Sequence, residues 1–268
     1  MDRIKKALDK SKTVRGRRGL RHFDGMYRGV ENHPLENLEY TQTRKLPVSP
    51  SVLADNRLIA GIKSDPRAAA FRMLRTQVLH TMRENRWTSL AVTGPISGIG
   101  KSLVAANLAI SISLEVNQTV LLVDLDLRRP AIHKYFNISP NYGILDYITS
   151  NIAIEKIFIN PTYERLVILP GKGSTSDSSE ILSSPKMIDL VKDLKSRYQT
   201  RIVIFDLPPL LHVDDALVFL PNVESTLLVV ENGKNTVSEV EESMRLLDGS
   251  NLIGTVLNKA EEETREYY

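Results

Sequence analysis

Short apolar runs alternate with amphipathic segments over most of this chain. Between the apolar runs, hydrophobic residues recur at helical spacing and predict helices over 101–115, 185–198 and 237–247. The apolar runs themselves predict strands buried on both faces, at 89–93, 119–124, 166–169, 201–206, 225–230 and 252–257. Buried strands that alternate with helices are typical of a parallel sheet covered on both sides. The pattern therefore predicts an α/β fold with a doubly wound, mostly parallel sheet and helices on both faces.

The same pattern divides the chain into three parts. Residues 1–60 are polar and basic with interspersed Gly and Pro, and they predict a basic N-terminal helix over 1–12 followed by a flexible arm. Residues 61–260 carry the alternating pattern and predict one domain. Its first helix is expected to begin at Asp65 and Pro66, with an apolar stripe of Ala69, Ala70, Met73, Leu74 and Val78. Residues 261–268 form an acidic, tyrosine-containing tail.

Composition narrows the class of protein. The 268 residues are 42% hydrophobic, which suffices for one sizeable core. There is no cysteine, so a disulfide framework is excluded. No apolar run approaches the ~18 residues that a membrane-spanning helix needs, and the N-terminus does not resemble a signal peptide. These features predict a cytoplasmic protein, which could be recruited to the inner face of the cell membrane.

The positive charge is concentrated near the N-terminus. The whole chain has a net charge of +3, whereas residues 1–32 hold ten Lys or Arg and four Asp or Glu, a net charge of +6. A basic arm on a mildly acidic domain indicates an anionic partner surface, either lipid headgroups or nucleic acid. A solvated arm without a partner is an equally good interpretation.

A glycine-rich turn between the first predicted strand and the first long helix indicates phosphate binding. Gly94 begins it, and the residues expected to cradle the phosphates follow: Ser97, Gly98, Ile99, Gly100, Lys101, Ser102 and Leu103. Glycines let the backbone turn its N–H groups towards phosphate oxygens, and the helix adds its positive end. Lys101 is expected to reach the β- and γ-phosphates of ATP, and Ser102 to bind Mg²⁺. Gly94 lies one residue earlier than the usual spacing, so an ordinary glycine-rich turn is the alternative.

Acidic residues end two of the other predicted strands. Asp124 and Asp126 end one, and Asp206 ends another. The carboxyl ends of parallel strands form the ligand crevice of α/β sheets, and a Mg·ATP site needs carboxylates near the metal and the attacking group. The alternative for each residue is a strand-terminal Asp that caps the next helix.

These motifs together resemble the bacterial tyrosine autokinases of capsule and exopolysaccharide loci. The resemblance runs from about residue 67 to 259 and rests on three motifs: Gly98, Gly100, Lys101 and Ser102; Asp124, Asp126 and Arg128; and Asp206, Pro208 and Pro209. It implies that residues 61–260 form a P-loop, ATP-binding kinase domain and that the protein is an ATP-dependent protein-tyrosine autokinase regulating polysaccharide polymerisation and export.

The resemblance also implies roles for individual residues. The expected catalytic residues are Lys101, Asp124, Asp126 and Asp206, and the expected metal ligands are Ser102, Asp124 and Asp206. Arg128 would either neutralise charge or pair with Asp126. Asn258 would contact the adenine, or else serve only as a turn residue. The expected phosphate acceptors are the terminal tyrosines Tyr267 and Tyr268.

Family members form homo-oligomers and need a membrane activator, so a separate polysaccharide co-polymerase protein is the expected partner. One departure concerns the oligomerisation motif: Arg72 and Arg75 match its second half, but Ala69 stands where the family has glutamate. A nucleotide-switched scaffold that phosphorylates nothing therefore remains an alternative. Chromosome-partition ATPases are a weaker one, because Ile96 occupies the position of their signature lysine. Nucleic acid is accordingly an unlikely partner.

Overall fold

The computed structural model describes residues 43–198 and 200–260. Within them, eight strands form one sheet in the order β1-β4-β5-β3-β6-β2-β7-β8, and every neighbouring pair is parallel except β4 with β5. In chain order the strands are β1 (Arg44–Lys45), β2 (Ser89–Thr93), β3 (Thr119–Asp124), β4 (Ile159–Asn160), β5 (Leu166–Leu169), β6 (Arg201–Asp206), β7 (Ser225–Glu231) and β8 (Leu252–Asn258). The predicted α/β fold class and all six predicted strands are confirmed.

Helices cover both faces of this sheet. They are α1 (Pro50–Asp55), α2 (Ala68–Asn85), α3 (Lys101–Ser113), α4 (Ile132–Tyr135), α5 (Ile144–Ser150), α6 (Ser178–Leu182), α7 (Pro185–Ser196), α8 (Asp215–Phe219) and α9 (Val237–Leu246), with 3₁₀ turns at Ile154–Lys156 and Leu220–Asn222. The three long helices that periodicity predicted are α3, α7 and α9. In the described part of the chain, no helix is both long and apolar enough to span a bilayer.

The interiors of the central strands are apolar because both of their faces are buried. Along β3, Val120 and Leu122 pack into the core under α2 and α3, whereas Leu121 and Val123 pack into the core under α7. Successive side chains of a strand point to opposite faces, so a strand in the middle of a three-layer domain needs hydrophobic residues at both. This burial holds β2, β3 and β6 side by side, and their carboxyl ends carry the candidate site.

The predicted flexible arm extends too far along the chain. Its last part, from Arg44 onward, is folded: β1 pairs with β4, and Leu53 and Leu58 are buried in the core. The side chain of Asn107 on α3 fastens this segment, because its Oδ1 accepts hydrogen bonds from the N–H groups of Ile59 (2.9 Å) and Ala60 (3.0 Å). The apolar residues of this segment are interrupted by Pro47 and Pro50, and only its contacts with α3 show that it folds. The predicted N-terminal helix lies outside the described residues.

The start of α2 also differs from the prediction. The helix begins at Ala68, and Asp65 caps no helix; its carboxylate instead accepts hydrogen bonds from the backbone and side chain of Arg67. The buried side of α2 is formed by Ala68, Val78, Leu79 and Met82, and Met73 is 66% exposed. The predicted stripe was wrong at Ala70 and Met73, which are both exposed, because the apolar residues of the first turns span more than one face.

Candidate functional site

The glycine-rich loop joins the end of β2 to the start of α3. Gly98 and Gly100 have φ angles of +77° and +92°, a region that side-chain-bearing residues rarely adopt. Gly100 is the N-cap of α3, and a Cβ there would lie 2.2 Å from Nδ2 of Asn258. The loop therefore has the curled shape that phosphate binding requires, and glycine at position 100 is demanded by both backbone angle and space.

The predicted phosphate-binding residues of this loop differ in how far they are exposed to solvent. Lys101, the first residue of α3, is 6% exposed, while Ser97 and Gly98 are exposed and Ile99 is buried. Leu103 packs its side chain against the core under α3, so only its backbone could meet a phosphate. The structure thus brings Lys101 into the interior of the crevice.

Two predicted carboxylates lie next to each other at the ends of neighbouring strands. Asp124 on β3 is the register partner of Asp206 on β6, and both side chains are fully buried. Oδ2 of Asp124 accepts hydrogen bonds from the backbone N–H groups of Ala131 (2.9 Å) and Ile132 (3.0 Å), at the start of α4. Asp124 therefore does cap a helix, as the alternative interpretation held, but with one oxygen only. Its Oδ1 has no hydrogen-bond partner among the described residues.

The carboxylate of Asp206 is the candidate group that most needs a cation to compensate its charge. Both of its oxygens are buried without a hydrogen bond of normal geometry to any described residue. Burial, reinforced by the charge of Asp124, raises the pKa of Asp206 well above its usual value, while the Ser102 hydroxyl and Lys101 act in the opposite direction. Burial likewise raises the pKa of Asp124 to about 7. A divalent cation would relieve this cost for both carboxylates.

Lys101 and Asp126 complete the electrostatic setting. Burial lowers the pKa of Lys101, and attraction to Asp206 and Asp126 opposes that shift. Asp126 is less buried than the other two aspartates, and its Oδ1 accepts a hydrogen bond from the N–H of Arg129 (2.9 Å). No cluster of three or more Asp, Glu or His suited to a metal occurs within the described ranges. A metal here would rest on the aspartate pair and Ser102.

Arg128 does not pair with Asp126, which corrects one of its two predicted roles. Its guanidinium forms two hydrogen bonds to Asp215 at the start of α8, from Nε to Oδ2 (3.1 Å) and from Nη2 to Oδ1 (3.2 Å). Asp215 is fully buried and also accepts a hydrogen bond from Ser178 (2.5 Å). The sequence analysis missed Asp215 and Ser178. They lie 87 and 50 residues after Arg128, and a local hydrophobic pattern does not show which distant polar residues will contact each other. This network anchors the loop that carries Asp126.

Asn258 at the end of β8 lies against the glycine-rich loop. Its side-chain amide donates a hydrogen bond to the carbonyl oxygen of Ile99 (2.8 Å). The predicted adenine contact remains a prediction, but the amide already has a partner within the protein.

The two arginines of the expected oligomerisation motif differ in their surroundings. Arg75 Nε lies 3.0 Å from Oε1 of Glu115, and Nη1 donates to the carbonyl of Ser111 (3.1 Å) on α3. Arg72 is exposed. Arg75 therefore contributes to helix packing within the domain, and Arg72 is free to face a partner. The predicted acceptors Tyr267 and Tyr268 lie outside the described residues.

Comparison with known proteins identifies the family. Residues 90–268 match the CobQ/CobB/MinD/ParA nucleotide-binding domain. CapB of Staphylococcus aureus, which has "tyrosine-protein kinase" in its name, is 30% identical over 191 residues, covering 70% of this chain and 82% of CapB. The chain belongs to the bacterial tyrosine kinases. Its sheet with helices is the fold of this family: the solved kinase domain of Escherichia coli tyrosine kinase ETK superposes with a TM-score of 0.70 at 29% identity, covering 84% of this chain and 91% of that domain.

Other members of the family are much longer. EpsB of Ralstonia solanacearum, also named as a tyrosine-protein kinase, is 31% identical over 208 residues, which are 77% of this chain but 27% of EpsB. The chain thus spans about a quarter of the length of such relatives.

Asp126 offers a test of chemistry as distinct from binding. The Asp126→Asn variant is expected to lower phosphoryl transfer by about 100-fold while changing nucleotide affinity by less than about threefold, because a group acting on the attacking hydroxyl matters mainly in the transition state. The asparagine oxygen can still accept the hydrogen bond from Arg129, so the loop should keep its shape. Single-turnover transfer and calorimetric nucleotide binding measure the two effects. Weakened binding at an unchanged rate would instead place Asp126 among the nucleotide-binding residues.

Proposed function

We propose that this protein is an ATP-dependent protein-tyrosine autokinase that acts in capsule or exopolysaccharide production. The observation that carries the proposal is the meeting of Lys101, Asp124 and Asp206 at the carboxyl edge of the sheet, in a chain that belongs to the bacterial tyrosine kinases. Phosphoryl transfer needs positioning and charge neutralisation more than covalent chemistry. A buried lysine beside buried carboxylates supplies both.

The residues fit a Mg²⁺-bound nucleotide. The unpartnered oxygens of Asp206 and the free Oδ1 of Asp124 are oxygen donors of the kind that Mg²⁺ prefers, and Ser102 lies beside Asp206. We assign the metal to Ser102, Asp124 and Asp206, and the phosphates to the loop from Ser97 to Leu103. The bound metal would neutralise charge on the phosphates.

Each remaining side chain then has a defined task. Lys101 holds the transferring phosphoryl group, because its ammonium is buried where phosphate charge would otherwise be unbalanced. Asp126, the least buried of the three aspartates, takes the proton of the incoming tyrosine hydroxyl as that oxygen bonds to the phosphorus and ADP leaves. Arg128 holds the Asp126 loop in place through Asp215.

The acceptors in this proposal are Tyr267 and Tyr268 of a second copy of the chain. Ten residues, 259–268, extend at most ~35 Å, so the tail can reach a neighbouring site only within a close homo-oligomer. Arg72 is available at such a contact, whereas Arg75 is already engaged with Glu115. The activator is proposed to be a membrane polysaccharide co-polymerase, and the basic residues 1–32 are proposed to approach an anionic membrane surface rather than nucleic acid.

Phosphorylation of the tail separates the kinase from the scaffold alternative. Incubated with Mg·ATP and the activator, the full chain is expected to gain phosphate on Tyr267 and Tyr268 at a rate that rises with protein concentration, since the reaction occurs between copies. Mass spectrometry of the C-terminal peptide measures it, and the Tyr267→Phe, Tyr268→Phe double variant is the control. If ATP binds but no tyrosine in the chain is phosphorylated, the protein is the scaffold. Phosphate on Tyr27 or Tyr40 would keep the kinase and move the acceptor into the arm.

A further inference from the structure

The ends of β7 and β8 lie directly against the glycine-rich loop. Glu231 and Asn258, the last residues of these strands, are register partners, and the N–H of Asn232 donates to the carbonyl of Asn258 (2.9 Å). The two strand ends thus form one rigid corner. Residues of this corner reach two carbonyl groups of the loop that are adjacent in sequence.

Both contacts are made through side-chain donors. Nδ2 of Asn258 donates to the carbonyl oxygen of Ile99 (2.8 Å), and Nζ of Lys259 donates to the carbonyl oxygen of Gly98 (3.3 Å). Lys259 is itself fixed by Glu231, whose Oε2 lies 2.9 Å from the same Nζ. Glu231 is in turn held through its backbone N–H, which donates to Oδ1 of Asn235 (2.8 Å). Both donors therefore contact the loop, and Lys259 is also paired with Glu231.

Holding these two carbonyls also determines where two amide groups point. A trans peptide unit is planar, and its C=O and N–H point in opposite directions; the described residues contain no cis peptide. The carbonyl of Gly98 shares its peptide plane with the N–H of Ile99, and the carbonyl of Ile99 shares its plane with the N–H of Gly100. Fixing both carbonyls towards the β7–β8 corner consequently turns the N–H groups of Ile99 and Gly100 away from it, to the side where phosphate oxygens would bind.

We propose that Asn258 and Lys259 are positioning residues that hold the loop in its phosphate-binding shape, with Glu231 orienting Lys259. The proposal rests on the proposed function for its ligand, a nucleoside triphosphate, but not for its geometry. It assigns Asn258 to the phosphate loop rather than to the adenine. It also gives Lys259 a role that no motif in the sequence indicates, since it follows the predicted domain motifs and precedes the acidic tail.

Lys234 offers a matched control for Lys259. Its Nζ lies 3.6 Å from the same oxygen of Glu231, and the two lysines are similarly exposed at 43% and 44%. Among the described contacts, Lys234 makes no hydrogen bond to a loop carbonyl. Nζ of Lys234 also approaches Gly98, since a Cβ built there would lie 3.4 Å from it. Replacing either lysine by methionine therefore removes the same charge from beside the loop, and only the Lys259 variant loses a hydrogen bond to the Gly98 carbonyl.

Binding of ATP and of tripolyphosphate, which lacks a base, tests the proposal. Lys259→Met and Asn258→Ala are each expected to weaken both ligands by the same factor, about tenfold, as expected for a lost hydrogen bond that shapes the site. Lys234→Met should stay within about twofold of wild type, because it removes an exposed charge without removing a hydrogen bond to the loop backbone, and Lys259→Arg should restore most of the affinity. If Asn258→Ala weakens ATP but not tripolyphosphate, Asn258 reads the adenine and its assignment here is wrong. If Lys234→Met and Lys259→Met behave alike, the effect is one of charge and Lys259 is not a positioning residue.

Hydrogen exchange of the nucleotide-free protein gives a readout that does not depend on the proposed function. The peptide that spans residues 94–103 is expected to exchange faster in Lys259→Met and Asn258→Ala than in wild type and Lys234→Met, with β3 and β6 unchanged as a check on folding. Unaltered exchange of the loop in both variants would overturn the proposal. Failure of wild type to bind ATP would overturn the proposed function alone.

Discussion

The Lys101→Met variant is expected to lose ATP binding by about two orders of magnitude or more. Lys101 is the first residue of α3 and is 6% exposed, so its ammonium has little contact with water, and we propose that it binds a phosphate. Charge-assisted hydrogen bonds to phosphate are among the strongest that proteins form, and a buried phosphate left without its cation is strongly disfavoured. Methionine has a similar length and keeps the packing. Calorimetric titration with Mg·ATP measures the loss.

The same variant should remain a substrate. Only its donor site is changed, so wild-type protein is expected to phosphorylate Tyr267 and Tyr268 of Lys101→Met in a mixture of the two, whereas the variant alone should show no transfer. An isotope-labelled variant distinguishes the two copies by mass. Equal ATP affinity in wild type and variant would remove Lys101 from the site. Phosphorylation of the variant in isolation would mean that the donor site lies elsewhere.

The Asp206→Asn variant is expected to lose phosphoryl transfer by at least about 100-fold, as removal of a buried electrostatic group at such a centre usually costs. Asp206 is fully buried, lies beside Asp124 and faces Lys101 and Ser102. Asparagine has nearly the same shape but carries no charge to hold a metal. Transfer measured at saturating ATP over a series of Mg²⁺ concentrations should show a weakened dependence on the metal. An unchanged dependence on Mg²⁺ would assign the metal to other groups.

Without nucleotide, the same substitution is expected to stabilise the protein. The pKa of Asp206 is raised in the folded state, so the folded protein holds the proton more tightly than the unfolded chain does. The carboxylate therefore destabilises the fold increasingly as pH rises above its unfolded pKa of about 3.9. Asp206→Asn should melt above wild type at pH 8, and the difference should shrink as pH falls towards 4. Asp189→Asn, at a position 79% exposed, is the control that should melt like wild type. A lower melting temperature for Asp206→Asn at pH 8 would contradict this account.

The sequence alone predicted the central part of the fold, and it indicated candidate site residues, of which Asp124 and Asp206 lie at neighbouring strand ends. The apolar runs at β2, β3 and β6 can be recognised in the sequence because a strand buried on both faces needs hydrophobic residues on both of them. The glycines of the loop can be recognised because positive φ angles exclude most other residues. Asp124 and Asp206 could be named in advance because each ends such a run, and Lys101 because it follows the glycines of the loop. The short strands β1 and β4 could not, since two residues carry no periodicity.

Other features were decided only by contacts between distant segments. Arg128 forms its ion pair with Asp215 rather than Asp126, and Asn258 donates a hydrogen bond to the loop at Ile99. Asn107 accepts hydrogen bonds from a segment that the sequence predicted to be a flexible arm. Each of these depends on a polar side chain finding a partner 47 or more residues away. The local hydrophobic pattern indicates which face of a helix or strand is buried, but it does not show which distant group a polar side chain will contact. The sequence itself thus determined which residues are proposed to do the chemistry, and the tertiary structure determined which residues hold them in position, because a buried polar group is stable only where the fold supplies its partner.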